Sequence, residues 1–208
     1  MREFDSQNNN VPADENTNHE TTNDKRNGFV KLLLEQFDIF IAVFALIVVV
    51  TSCIGRVCTV SGDSMQNTLI DKDPLIVSNL FYTPQRGDII VFHQTGSKPT
   101  DYNEPIVKRV IGIAGDTVKI EHKKDTMTVT VTDKFGNTTV LEEDYIRYDY
   151  ATYKDSETYV SEGTVFVMGD NRSHSADSRS ATIGLVDTRR ILGRVIFRLG
   201  GSSFGVVD

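Results

Sequence analysis

The run Ile39-Phe-Ile-Ala-Val-Phe-Ala-Leu-Ile-Val-Val-Val50, continued by Thr51-Ser-Cys-Ile-Gly55, contains no charged side chain in 17 residues. It is apolar on every face of a helix, whereas a surface helix of a globular domain shows one apolar stripe. Its length meets the short end of the roughly 17–25 residues that cross a bilayer. A buried core helix is the competing reading for apolar runs of about 10–14 residues, and the all-round apolarity favours the membrane. Lys25, Arg26 and Lys31 precede the run and only Arg56 follows it closely. Cationic flanks stay on the cytoplasmic side, so the amino terminus is expected inside and the remainder outside; Glu35 and Asp38 count for little in that rule. No Ala-x-Ala site follows, which disfavours a cleaved leader. Val50-Thr-Ser-Cys53 loosely resembles a lipoprotein cleavage box, and that would still leave the protein membrane-attached. The expectation is a single-pass anchor with its flanks over residues 29–57.

Residues 1–28 hold only Met1, Phe4, Val11 and Ala13 as apolar members, too few to offset ordering entropy, so a disordered cytoplasmic tail is expected. Residues 58–208 read as an extracytoplasmic domain. Pro74–Val77, Asp88–Phe92, Ile106–Ile113, Thr117–Ile120, Thr126–Thr132, Thr164–Met168 and Leu192–Leu199 are β-branched runs bounded by turn residues, hence strands. No amphipathic helix appears past the anchor, so the fold class is mainly β, a sandwich or a partly open barrel behind one transmembrane helix. Residues 122–160, rich in Lys, Asp, Glu, Thr and Tyr, read as an inserted hairpin or small subdomain. Leu80, Phe81 and Tyr82, if exposed, suit a membrane interface, and Phe81 suits the core equally well. A net charge of −7 leaves no excess of cations for phosphates, so no nucleic-acid partner is expected. Two cysteines exclude a disulfide scaffold and a four-cysteine zinc site. A Cys53–Cys58 bridge is disfavoured if helix runs through both. His19, His93, His122 and His174 are scattered without ligand spacing, and the Gly-Asp pairs read as turns, so neither metal nor cofactor is expected.

Three segments carry candidate chemistry. Ser61-Gly-Asp-Ser-Met-Gln-Asn-Thr-Leu69 places Ser64 in a Gly-containing turn, where a hydroxyl can sit beside backbone N–H groups as a nucleophile requires. By itself this is also ordinary turn chemistry. Lys108 stands inside the strand Ile106–Ile113, where lysine is depleted. On a two-residue period it shares a face with Ile106 and Val110, and Arg109 points the other way. Desolvation by such neighbours lowers a lysine pKa, and a neutral amine can serve as a general base; the alternative is an edge lysine reaching out to water. Met168–Arg179 is a dense polar loop after an apolar strand, in which Asp177 and Arg179 can pair. A Ser-His-Asp triad through His93 or His174 stays open, because triads are defined by geometry and not by chain order.

Together these segments resemble the bacterial type I signal peptidases, over about Val57–Leu199 plus the anchor. The likeness rests on four ordered blocks: Gly62-Asp-Ser-Met-x-x-Thr-Leu69, Arg86-Gly-Asp-Ile-Ile-Val-Phe92, Lys108-Arg-Val-Ile-Gly-x-x-Gly-Asp116 and Gly169-Asp-Asn-Arg-x-x-Ser-x-Asp-Ser-Arg179. The resemblance implies a membrane-anchored serine endopeptidase that removes signal peptides from exported preproteins, with Ser64 as nucleophile and Lys108 as general base. It implies that Ser175 orients the lysine, that Asp177 and Arg179 support the site, and that the Ser64 backbone N–H helps form the oxyanion hole. It further implies pockets for small residues at the first and third positions before the cut. The expected partners are preproteins and membrane lipid. The chain departs from the family in having Asn67 where proline is usual, and Gly62 where some relatives carry a serine that assists the oxyanion hole. A self-cleaving Ser/Lys regulator would need a DNA-binding domain in place of the membrane run. An inactive relative would be expected to lack Ser64 or Lys108.

Overall fold

The computed structural model describes residues 31, 34, 36–49, 55–94, 105–123, 126–146, 154–200 and 204–207. Contacts divide the chain into two compact units, Met1–Thr51 and Ser52–Asp208. In the first unit residues 31, 34 and 36–49 are helical, and the apolar side chains Ile39, Phe40, Ile41, Phe44, Leu46 and Ile47 are all exposed. No helix among the described residues is long and apolar enough to cross a membrane. The expectations for residues 1–28, and for 50–54 of the anchor including Cys53, lie outside the described residues.

The second unit is mainly β. Its strands are β1 (Arg56–Thr59), β2 (Pro74–Ser78), β3 (Ile89–His93), β4 (Pro105–Gly112), β5 (Thr117–Lys123), β6 (Thr126–Thr132), β7 (Thr138–Val140), β8 (Ser156–Tyr159), β9 (Thr164–Met168), β10 (Val186–Asp187), β11 (Ile191–Arg198) and β12 (Gly205–Val206). Eight of them form an open sheet in the order β1-β2-β11-β3-β4-β9-β10, with β12 added on β11, and every pairing is antiparallel. The other four form a second antiparallel sheet in the order β7-β6-β5-β8. The segment read as an insertion thus supplies most of the second sheet, which begins earlier, at Thr117.

Sequence pattern and burial agree strand by strand. Ile89-Ile-Val-Phe92 in β3 is buried throughout, as a continuous apolar run should be when both faces of a central strand are covered. In β6, Val129 and Val131 point inward between threonines, the alternation of a half-buried strand. Three apolar clusters result. One packs Val77, Val91, Val107 and Val195 with Met65 and Leu69. A second gathers Ile90, Phe92, Val110, Val165 and Val167. The third joins the two sheets, with Ile111, Phe166 and Met168 against Val118, Ile120, Val129 and Val131. β1 lies partly inside the stretch assigned to the anchor flank: Arg56–Thr59 is extended and pairs with β2 from Arg56↔Val77 to Thr59↔Pro74. Helix therefore does not run through Cys58, whose thiol is free.

Candidate active site

The site lies where the β1–β2 turn, the middle of β4 and the loop after β9 converge. Val60 N–H donates to Asp73 O at 3.0 Å and Lys72 N–H to Val60 O at 2.9 Å, closing the base of the β1–β2 turn. Above that base, Gln66 N–H donates to Asp63 O and Leu69 N–H to Met65 O. Met65 and Leu69, buried in the first cluster, anchor the turn and leave Ser64, just before Met65, half-exposed. Gly62, at φ +88°, donates its N–H to Asp71 Oδ1 at 2.9 Å. A serine there would sit in a backbone region that side-chain-bearing residues rarely adopt, which accounts for the missing hydroxyl.

Lys108 is 3% exposed. Its Nζ lies 2.6 Å from Ser64 Oγ and donates to the Val107 carbonyl at 2.9 Å. Strand alternation groups it with Ile106 and Val110, both on the second cluster, and puts Arg109 with Val107 and Ile111. Burial pushes the ammonium pKa down to about 8; Asp177 and Asp170 pull it back up and Arg179 pushes it down again. The cation that disfavours the charged lysine is Arg179; Arg109, on the other face of the strand, is held by Asp170 through Nε and Nη2 at 2.9 Å each.

Three guanidinium–carboxylate pairs are built into the site, Arg109–Asp170, Arg172–Glu143 and Arg179–Asp177, every one with a guanidinium side chain at most 5% exposed. Each carboxylate is taken by an arginine, and among the described residues Lys108 has none within ion-pair distance. Charge in this low-dielectric region is balanced when the lysine is neutral, since an unpaired buried charge is strongly unfavourable.

The loop after β9 is held rigidly. Asp177 accepts the Gly169 N–H at 3.0 Å and both Nε and Nη2 of Arg179 at 2.8 Å. Asn171 clasps the nucleophile turn, donating its N–H to Ser64 O at 3.0 Å and its side-chain amide to Asp63 O at 3.1 Å. Gly169 has no room for a side chain: an added Cβ would overlap the Ser175 hydroxyl and come within 2.5 Å of the Ser64 carbonyl oxygen. Buried Ser175 is thereby packed behind the nucleophile, with a glycine's thickness between them. All five residues singled out in the sequence, Ser64, Lys108, Ser175, Asp177 and Arg179, meet in this region.

A cleft of about 300 Å3 opens over the pair, lined by Val60, Ser61, Ser64, Met65, Pro105, Ile106, Val107, Lys108 and Ala176. Its walls are mostly apolar, and no histidine is among the described residues that line it. His93 and His174 are exposed, and His174 Nδ1 lies 3.0 Å from Ser173 Oγ. No group of three or more His, Cys, Asp or Glu side chains among the described residues could hold a metal ion. The sequence reading passed over Glu143, Thr68, Ala176 and the specific partners of Arg109 and Arg172. Arg172 and Asp170 stood inside a quoted motif, but Glu143 lies in the polar insertion and nothing in its neighbours marks it.

A family model described as signal peptidase, peptidase S26, matches residues 33–200. Signal peptidase IB of Staphylococcus aureus is 34% identical over 188 residues, covering 81% of this chain and 90% of that protein. A probable signal peptidase I-2 of Synechocystis is 28% identical over 192 residues, covering 88% of this chain and 81% of that protein. The crystal structure of a signal peptidase I from Enterococcus faecalis aligns with a TM-score of 0.40 at 30% identity, over 55% of this chain and 97% of that one.

Proposed function

The chain belongs to the signal peptidase family, peptidase S26, a family of serine peptidases, and from that premise we propose that it removes signal peptides from exported preproteins with Ser64 and Lys108 as its catalytic pair. The observation that carries this reading is the 2.6 Å approach of Lys108 Nζ to Ser64 Oγ at the floor of the cleft.

Neutral Lys108 accepts the Ser64 hydroxyl proton as Oγ adds to the scissile carbonyl. The developing oxyanion is met by the Ser64 N–H. Lys108 then gives its proton to the leaving amine, and the carbonyl carbon stays on Ser64 as an ester. Lys108, neutral once more, takes a proton from water as the water oxygen adds to the ester carbonyl; it returns that proton to Ser64 Oγ as the ester C–O bond breaks, and the new carboxylic acid ionises. The Arg179–Asp177 pair and Ser175 fix the lysine's surroundings.

The substrate's approach follows from the sheet. β4 pairs with β3 along Pro105–Arg109 but meets β9 only from Arg109 onward, so among the described residues no strand pairs with the other edge of Pro105–Lys108, which borders the cleft. An extended peptide can add to such an edge by backbone hydrogen bonds while the cleft selects side chains. Val60, Met65, Ile106 and Ala176 bound a space suited to small residues next to the cut.

The protein acts, on this reading, as a single-pass membrane enzyme, with the apolar helical segment in the bilayer, a cytoplasmic amino terminus and an extracytoplasmic β-domain. The cationic flank Lys25, Arg26 and Lys31 supports that orientation. Leu80 and Phe81, 50% and 97% exposed, suit contact with lipid. Purified full-length chain should cleave a preprotein at its signal-peptide junction, and Ser64→Ala and Lys108→Ala should each abolish cleavage while remaining folded. Cleavage by folded Ser64→Ala at the wild-type rate would remove the reading.

A further inference from the structure

Glu143 follows β7 in the segment outside every motif of the catalytic blocks, yet its carboxylate is almost fully enclosed, with 8% of the side chain exposed. It accepts Arg172 Nη1 at 2.8 Å on Oε2 and meets Nη2 with Oε1, so the pair is bidentate. The Tyr145 hydroxyl donates to the same Oε1 at 2.8 Å. Fully buried Arg172 passes the constraint on: its Nε donates to Gly169 O at 3.1 Å, and its own carbonyl accepts Arg179 Nη2 at 2.8 Å. Gly169 is the residue wedged between Ser175 and the Ser64 carbonyl. Tyr145 adds a second path. Its ring lies 4.1 Å beneath the Arg109 guanidinium, Arg109 holds Asp170, and Asp170 accepts the Thr68 hydroxyl of the nucleophile turn at 2.5 Å. Asn67 and Thr68 also share a small cleft with Asp144, Tyr145 and Ile146.

We propose that Glu143, with Tyr145, is a positioning residue that braces the 169–179 loop and the Ser64 turn against each other from the connection between β7 and β8 of the second sheet. The inference rests on the peptidase reading above. Catalysis needs Ser64 and Lys108 held to within fractions of an ångström. Neither side chain is fixed by its own strand or turn alone: the loop that backs Ser64 is tied down by arginines, and among the described residues Glu143 is the carboxylate that pairs directly with Arg172. Without that carboxylate the buried guanidinium would compete for Asp170 or Asp177 and draw the loop out of register. Glu143 touches neither the nucleophile nor the cleft, so its removal should act on turnover and not on substrate affinity.

The test is Glu143→Gln in the full-length protein, with Glu143→Asp and Tyr145→Phe beside it. Two readouts are taken: steady-state signal-peptide cleavage, and amide hydrogen exchange mapped along the chain. Glu143→Gln should lower kcat at least about tenfold with KM within about threefold of wild type, the pattern of a group acting in the transition state. Exchange should accelerate in residues 169–179 and leave β3 and β4 protected. Glu143→Asp, which keeps the charge, should recover part of kcat. If Glu143→Gln does not fold, Tyr145→Phe decides: a several-fold loss of kcat with faster exchange in 169–179 supports the brace, and wild-type kcat overturns it. Wild-type kcat in folded Glu143→Gln, or exchange accelerated equally across all strands, also overturns it. A wild-type chain that cleaves no signal peptide, with exchange in 169–179 still loosened by Glu143→Gln, would sink the cleavage reading and leave the brace standing.

Discussion

Burial holds the Lys108 pKa near 8 against an ordinary 10.5, so below about pH 8 the folded protein carries a proton that its surroundings disfavour. The sign follows from proton counts. Between about 8 and 10.5 the unfolded chain binds more protons than the folded one, so stability rises with pH through that window and the full penalty stands at neutral pH. At 1.36 kcal/mol per unit the penalty is about 3 kcal/mol. Lys108→Met should therefore be inactive yet more stable at pH 7, by about 1–3 kcal/mol in denaturant titration, with the gain shrinking toward pH 10. A loss of stability at both pH values would contradict desolvation as the cause. Lys108→Arg should be inactive, since guanidinium does not release its proton in proteins; near-normal turnover would rule out base catalysis by this side chain. Lys108 stood out in the sequence because a lysine inside an aliphatic strand breaks a local rule, whereas Ser64 sits in ordinary turn chemistry and took its role from the resemblance of the ordered blocks. The sequence did not show that Arg109 is neutralised by Asp170, since that contact joins residues 61 apart in the chain.

The turn that carries Ser64 differs from the family pattern in a way the structure explains. Asn67 has φ +95°, whereas proline is confined near −65°. Loss of a rigid proline would by itself loosen a turn; here the backbone instead occupies a region that proline cannot enter and that asparagine tolerates. Asn67→Pro should cost at least about 1–3 kcal/mol in stability, from forcing a strained backbone, and should lower turnover, while Asn67→Gly should keep both. Thermal melting and cleavage rates of the two variants check this, and equal stability of Asn67→Pro and wild type would overturn it. The cleft gives a companion prediction. Replacing Ala by Phe before the cut in the substrate should slow cleavage at least tenfold, since overfilling a formed pocket costs about 1–3 kcal/mol; equal rates would exclude the cleft as the selecting pocket. Strands of five or more residues were readable from β-branched runs and alternation. β1, β7, β8, β10 and β12 have two to four residues each, too few for a period to show, and are extended because a neighbouring strand supplies their hydrogen bonds.

Two units, one an exposed apolar helical segment and the other a β-domain, fit a membrane-anchored enzyme whose substrate also arrives in the membrane. The proposed orientation predicts that protease added to intact spheroplasts reaches the exposed turn at Asn137, between β6 and β7, and spares the amino-terminal 28 residues. Cleavage of the tail with protection of Asn137 would reverse the orientation. The proposed anchor and its orientation rest on hydropathy and flanking charge, which need no tertiary information. How the second sheet serves the first could not be read, because it depends on Glu143 and Tyr145 meeting arginines from other segments. The decisive measurement is the pH dependence of kcat/KM for signal-peptide cleavage by the full-length protein, since its acid limb reports the free enzyme's base. With Lys108 as that base, kcat/KM should rise about tenfold per pH unit to a bend near pH 8 and then level, with His174→Ala following the same curve. A bend near the ordinary histidine value of about 6.5 that disappears in His174→Ala would replace the serine–lysine pair with a serine–histidine one.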